Sequence, residues 1–303
     1  MKINPSTYAL GFDGEQSRTI NLAKSAGFCL GVKRAVDIAL KTAARNKNVY
    51  MLGDIVHNED VVREIERAGI KKITRLIRGR NNILLIRAHG TGKDTIKKAL
   101  SLGYKIVDAT CPMVKEIHKI ACDRQEKGYK IIVLGDKKHE EVHGIIGQLK
   151  TKALVIDNLE HIPIKKIKKI KKACVVVQST QNLEKVLKIA EALKNYIPQL
   201  QFLNTICKPT RMKQEEIKTL PQENDIMIII GSKNSANTKR LFEIAKSLNN
   251  RTYWVNSKKE IKSGWFKDVK NVGVTAGAST PESTIQDIIR YLSNHLTHTL
   301  RPR

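Results

Sequence analysis

The sequence predicts an α/β protein: three similar α/β units with mostly parallel sheets. Three observations predict it. Short apolar runs alternate with helical stretches along the chain, polar side chains recur at matched positions after those runs, and three cysteines share the register. Strands alternating with helices argue for parallel sheets covered on their faces by helices.

The elements follow in order. "NVYMLG" and "NILLIRA" read as buried strands of the first unit, with "KRAVDIALKTAA" and "EDVVREIERAG" as helices. "YKIIVLG" and "ACVVVQ" are the strands of the second, followed by the helix "LEKVLKIAEALKN"; "DIMIIIG" opens the third. Such apolar runs are short enough for strands and bounded by turn residues. The reading divides the chain into an N-terminal extension (1–19), unit 1 (20–110, joined by a C-terminal helix over 281–303), unit 2 (111–206) and unit 3 (207–280).

A repeat lies within the alternation. Cys29, Cys111 and Cys207 each follow a strand-like stretch, "NLAKSAGFC", "YKIVDATC" and "LQFLNTIC". Twenty-four residues after each cysteine the next strand reaches a glycine: Gly53, Gly135 and Gly231. Four residues past each glycine stands a polar side chain, His57, His139 or Ser235. A third station follows at looser spacing, with His89 in "IRAHGTGK", Ser179 and Thr180 in "VVQSTQN", and Ser279 in "VTAGASTPE". Open parallel sheets bind ligands beyond the carboxyl ends of their strands, so three units around an axis would aim every station at one cavity.

Composition narrows the classes. Five cysteines, an odd number without a CxxC pair, argue against a disulfide framework and for a reducing, cytoplasmic setting. No apolar run approaches the roughly 20 residues of a membrane helix. The first twenty residues lack a signal peptide's apolar core and carry Asp13 and Glu15. The net charge of +26 attracts polyanions. It is mostly lysine, however, seldom interleaved with aromatics, and "IPIKKIKKIKKAC" reads as a solvated, half-amphipathic segment. Nucleic acid is therefore not the expected partner, whereas a phosphorylated small molecule suits the field.

Converging thiolates bind zinc or an iron–sulfur cluster. A closed zinc site wants a fourth protein ligand, which the repeat does not supply; Cys122 and Cys174 stand outside its register and read as core residues. A [4Fe–4S] cluster on three cysteines leaves one iron free for substrate. His57, His89, His139, Ser235, Asn237 and Ser279 offer donors and few negative charges, several of them before helix starts, which favours a phosphate or diphosphate. Glu141 in "KKHEEVHG" is the conspicuous acid, a natural proton donor if desolvated. "HEEVH" also satisfies the zinc-protease pattern, but it sits at a strand-to-helix junction rather than within a long helix.

The segments "GFCLGVKRAV", "GDIVHNEDVV", "IRAHG", "DATCPMV", "HEEVHGIIGQ", "QSTQN", "NTICKPTRMKQ", "GSKNSANTKRL" and "TAGASTPE" together resemble the 4-hydroxy-3-methylbut-2-enyl diphosphate reductase family, in that family's order from about residue 20 to residue 288. The resemblance implies a trefoil around a central [4Fe–4S] cluster on Cys29, Cys111 and Cys207. It implies reductive dehydroxylation of the allylic diphosphate to isopentenyl and dimethylallyl diphosphates, the last step of the methylerythritol phosphate route. Glu141 would deliver protons, aided by His139 and by Ser179 or Thr180. His57, His89, Ser235, Asn237 and Ser279 would hold the diphosphate, and ferredoxin or flavodoxin would supply electrons. Ala236, Ser179 and the pair Lys208–Pro209 depart from the family's commoner residues.

Overall fold

The computed structural model describes residues 7–10, 18–79 and 81–298. The chain opens with β1 (Thr7–Leu10), β2 (Arg18–Leu22), α1 (Leu30–Arg45), β3 (Val49–Leu52), α2 (Glu59–Arg67), β4 (Lys71–Ile73), β5 (Ile83–Ile86), α3 (Lys93–Ser101) and β6 (Lys105–Asp108). There follow α4 (Pro112–Glu126), β7 (Lys130–Leu134), α5 (Glu140–Ile146), β8 (Leu154–Ile156), α6 (Ile164–Ile167), β9 (Lys172–Val177), α7 (Leu183–Lys194) and β10 (Gln199–Phe202). The last stretch holds α8 (Lys208–Thr219), β11 (Ile226–Ile230), α9 (Ala236–Leu248), β12 (Thr252–Val255), β13 (Asn271–Ala276) and α10 (Glu282–His298).

These strands build three sheets, ordered β4-β3-β5-β6, β8-β7-β9-β10 and β12-β11-β13-β2, the last extended by β1. All pairings are parallel except β1 with β2. Each sheet repeats one pattern. The strands β3, β7 and β11 lie inside, the next strand of each repeat takes the edge, the one after returns to the other side, and a fourth strand (β6, β10 or β2) leads into a cysteine. The apolar runs are continuous because both faces are covered. In β11, Ile226, Ile228 and Ile230 pack with Ile285, Ile288 and Leu292 of α10. Met227 and Ile229 face Leu241 of α9 and Ile217 of α8 on the other side.

Two boundaries drawn from the sequence are corrected here. The strand before Cys29, assigned to unit 1, pairs with β13 and belongs to the sheet of the third repeat. Helix α10 packs on that sheet as well. Each cysteine strand thus closes a repeat rather than opening one, and the N-terminal strand closes the last. Strand partners are chosen by packing, not by proximity in sequence, so this shift is invisible in the spacing. Within the expected extension, residues 7–10 form β1, which covers the outer edge of β2; residues 1–6 and 11–17 lie outside the described residues.

The chain divides into two compact units. One contains residues 1–29, 57–60 and 208–303 with the five-stranded sheet; the other contains 30–56 and 61–207 with both four-stranded sheets. Cys174 is buried in the second unit's core against Ile117 and Val142, as its position in an apolar run suggests. The lysine-rich segment forms the short α6, with Ile167 buried and the lysines 165 and 166 in solvent. Among the described residues no helix is long and apolar enough to cross a membrane.

Candidate functional site

In every sheet the strand order reverses between the first and third strands, and the crevice beyond their carboxyl ends is where such sheets receive ligands. The predicted stations stand there. His57 and His89 follow β3 and β5, His139 and Ser179 follow β7 and β9, and Ser235 and Ser279 follow β11 and β13. The cysteines are anchored to the third station by one recurring bond. The Cys111 N–H donates to the Ala88 carbonyl (2.9 Å), that of Cys207 to Ser179 (3.1 Å) and that of Cys29 to Ala278 (3.2 Å). None of the three is in a disulfide, and each is half-buried.

In the first unit, Ser235 caps α9, its Oγ accepting from the Thr238 N–H at 3.3 Å. The Ser279 hydroxyl donates to the His57 carbonyl at 3.0 Å. Glu59, which the sequence reading passed over, fastens the His57 loop to the turn after β11. Its carboxylate accepts from the hydroxyl of Ser232 (2.7 Å) and the amides of Asn234 (3.2 Å) and Asn256 (3.4 Å). Asn237 is only 4% exposed, yet neither its amide nitrogen nor its oxygen has a hydrogen-bond partner among the described residues. Buried polar groups are nearly always paired, so this amide marks a place for a polar ligand. Ala236 takes the first helical position of α9 beside it.

This orphaned amide gives a direct expectation. An unpaired buried amide costs about 1–3 kcal/mol, and a hydrogen bond to a charged ligand contributes about 1.5–3 kcal/mol. Asn237→Ala should leave the urea midpoint of the ligand-free protein unchanged or higher, while pyrophosphate affinity measured by calorimetry falls roughly tenfold or more. A lower midpoint with unchanged affinity would make Asn237 structural instead.

In the second unit, Glu141 is 1% exposed. The backbone N–H of Ser179 donates to its Oε1 at 2.6 Å and the Ser179 hydroxyl to its Oε2 at 2.7 Å. Burial pushes its carboxyl up to about 6, although both Ser179 bonds pull the other way. His139 is the N-cap of α5, and its Nδ1 accepts from the Glu141 N–H at 3.1 Å. A ring nitrogen that accepts carries no proton, so neutral His139 presents Nε2–H as a donor. The His89 and His139 rings meet edge to face with centroids 5.4 Å apart. The Thr180 hydroxyl accepts from the Gln178 amide at 3.0 Å.

Glu140 separates cleanly from its neighbour. It pairs with Arg87, and its other oxygen lies 3.8 Å from the His89 Nδ1, too far for a hydrogen bond. Arg87 stands two residues before His89 in "IRAHG", the one signal the sequence offered for it. The zinc-protease pattern dissolves on the same geometry. His139 precedes a seven-residue helix, whereas His143 is exposed and its Nε2 bonds the Lys137 carbonyl at 2.8 Å. His118, unremarked in the sequence, packs under the turn at Gly90 (φ +75°), where an added Cβ would lie 2.7 Å from its ring. Desolvation pushes its imidazole down to about 4, which keeps it neutral.

Fold and side chains together define an α/β protein that pairs thiol-bearing strand ends with donors suited to an anionic ligand. The family comparison makes the class specific: residues 20–293 match the model of the family described as LytB protein, and the chain belongs to that family. A relative from Clostridioides difficile (strain 630), named 4-hydroxy-3-methylbut-2-enyl diphosphate reductase, is 39% identical over 91% of this chain and 99% of its own. One of the same name from Aquifex aeolicus (strain VF5) is 37% identical over 89% and 94%. The solved structure of (E)-4-hydroxy-3-methyl-but-2-enyl diphosphate reductase, the terminal enzyme of the non-mevalonate pathway, matches with a TM-score of 0.68 at 36% identity, covering 91% of this chain and 99% of that one. The Plasmodium falciparum reductase structure matches with a TM-score of 0.84 at 27% identity, covering 91% and 88%.

Proposed function

We propose that this chain is an oxidoreductase that converts (E)-4-hydroxy-3-methylbut-2-enyl diphosphate to isopentenyl and dimethylallyl diphosphates in the cytoplasm. The hydroxyl leaves as water, and two electrons and two protons are consumed. One observation carries the reading. Ser179 joins a buried, protonatable carboxyl to a cysteine turn, since its N–H and hydroxyl hold Glu141 while its carbonyl holds the Cys207 amide.

The donor set fits the cofactor of such a reduction. Cys29, Cys111 and Cys207 are thiols outside any disulfide, half-buried, each presented at the end of a cysteine strand. Three soft ligands without a fourth in register suit a [4Fe–4S] cluster that keeps one iron open. Bound there, such a cluster supplies electrons one at a time and a Lewis-acidic iron.

The remaining steps belong to the protein's own side chains. His57, His89, Ser235, Asn237 and Ser279 hold the diphosphate, with the unpaired amide of Asn237 as its clearest mark. His139 offers its Nε2–H, and Ser179 and Thr180 orient the hydroxyl to be lost. Glu141 donates a proton and is left as a carboxylate, which the Ser179 N–H and hydroxyl stabilise as donors until solvent returns the proton. Ferredoxin or flavodoxin supplies the electrons. The test is anaerobic turnover of the allylic diphosphate by reconstituted protein with reduced methyl viologen. Both five-carbon diphosphates should form with two viologens oxidised per substrate, and absence of either stoichiometry or products ends the reading.

A further inference from the structure

Helices α2, α5, α7 and α10 open on acidic side chains, as the positive end of a helix dipole favours. The helices that follow the three cysteines, α1, α4 and α8, like α6 and α9, start without an acidic side chain. A basic residue instead stands four positions after each cysteine: Lys33, Lys115 and Arg211, all exposed. Large apolar side chains beside them are also in solvent, Leu30 at 85% exposure, Met113 at 44% and Met212 at 54%.

In the second unit two of these helix starts are tied together. The Arg34 guanidinium of α1 donates to the carbonyl of Thr110, the residue before Cys111, at 3.1 Å. The opening turn of α1 and the Cys111 turn are therefore fixed to one another. Lys115 keeps an ion pair with Asp108 at 2.6 Å, which holds its ammonium beside the same turn. Exposed apolar groups with a basic rim have the anatomy of a protein-docking surface, and the rim selects an acidic partner. A second copy of a chain with net charge +26 would be repelled.

We propose that Leu30, Lys33, Met113 and Lys115 form a docking surface for a small acidic one-electron carrier protein, which passes its electrons in beside Cys111. The inference rests on the reductase reading and adds where the reductant binds. Each encounter oxidises the carrier's reduced centre by one electron. Two encounters supply the pair consumed as the substrate's hydroxyl leaves as water, and no bond forms between the proteins.

The experiment uses reconstituted holoenzyme with two donors, a photoreduced acidic ferredoxin and reduced methyl viologen. At low ionic strength Leu30→Ser/Lys33→Glu should raise the KM for ferredoxin about tenfold, with Met113→Ser giving a smaller rise. Methyl viologen turnover should stay within twofold, since a small donor needs no docking. Lys165→Glu on α6 makes the same charge change as Lys33→Glu at another exposed lysine and should leave both rates unchanged. An unchanged ferredoxin KM in the double variant, an equal rise in Lys165→Glu, or a parallel loss with methyl viologen each overturns the surface. Failure of the unmodified protein with both donors overturns the reductase reading itself, and the docking surface with it.

Discussion

Glu141→Gln should bind the diphosphate and retain its iron, yet lose turnover by a factor of about 10²–10⁴, the usual worth of a positioned general acid. The carboxyl and the amide have the same shape, and the two Ser179 bonds can be kept to the amide oxygen and, with the hydroxyl rotated, from the amide nitrogen. What disappears is the transferable proton. The group that donates it titrates near 6, so in the unmodified enzyme kcat should fall about tenfold per pH unit as the pH climbs well above that value. The same carboxyl leaves a trace on stability. Its folded value of about 6 lies above its ordinary 4.5. Its contribution is therefore complete below pH 4.5 and is lost as the pH rises through 6, a change of about 2 kcal/mol. The unfolding free energy of the ligand-free protein at pH 4.5 minus that at pH 7, from urea titrations, should be lower in Glu141→Gln by that amount. Full turnover in the variant would remove Glu141 from proton delivery, whatever the titrations show.

Much of this site is written in local patterns, and what is not local escapes them. The register of Cys29, Cys111 and Cys207 with their following glycines reflects one strand topology used three times, so spacing alone exposes it. Placement of His139 and Glu141 at a helix start follows from the strand that ends at Leu134, just before them. By contrast, nothing near Arg18–Leu22 says that its partner is β13, some 250 residues away, rather than a strand of the next repeat. Such pairing is decided by which apolar faces meet. The Arg87–Glu140 pair and the Glu59 latch are likewise contacts between separate loops, each member unremarkable in its own stretch. Glu140 and Glu141 look alike in sequence, and only the helix face each occupies sends one to an arginine and the other into the interior.

Replacing Cys207 with serine should abolish stable iron binding, measured as iron and acid-labile sulfide per chain after anaerobic reconstitution. A serine hydroxyl is a hard, weakly acidic ligand where a soft thiolate is required, and two remaining thiols do not retain a cluster. The backbone should survive the change, because the Cys207 amide is anchored to the Ser179 carbonyl. Far-ultraviolet circular dichroism should therefore match the unmodified apoprotein, which separates ligand loss from misfolding. Cys29→Ser and Cys111→Ser should behave identically, since their amides make the same bond. The other two cysteines supply the contrast. Cys122 directs its thiol to the Gln148 carbonyl at 3.5 Å, so Cys122→Ser should keep iron unchanged. Cys174 lies fully buried, and burial pushes its thiol up to about 11, far from the thiolate that iron needs. Iron that persists in Cys207→Ser but vanishes in Cys122→Ser would show that different thiols hold the metal, and the repeat would then have another cause.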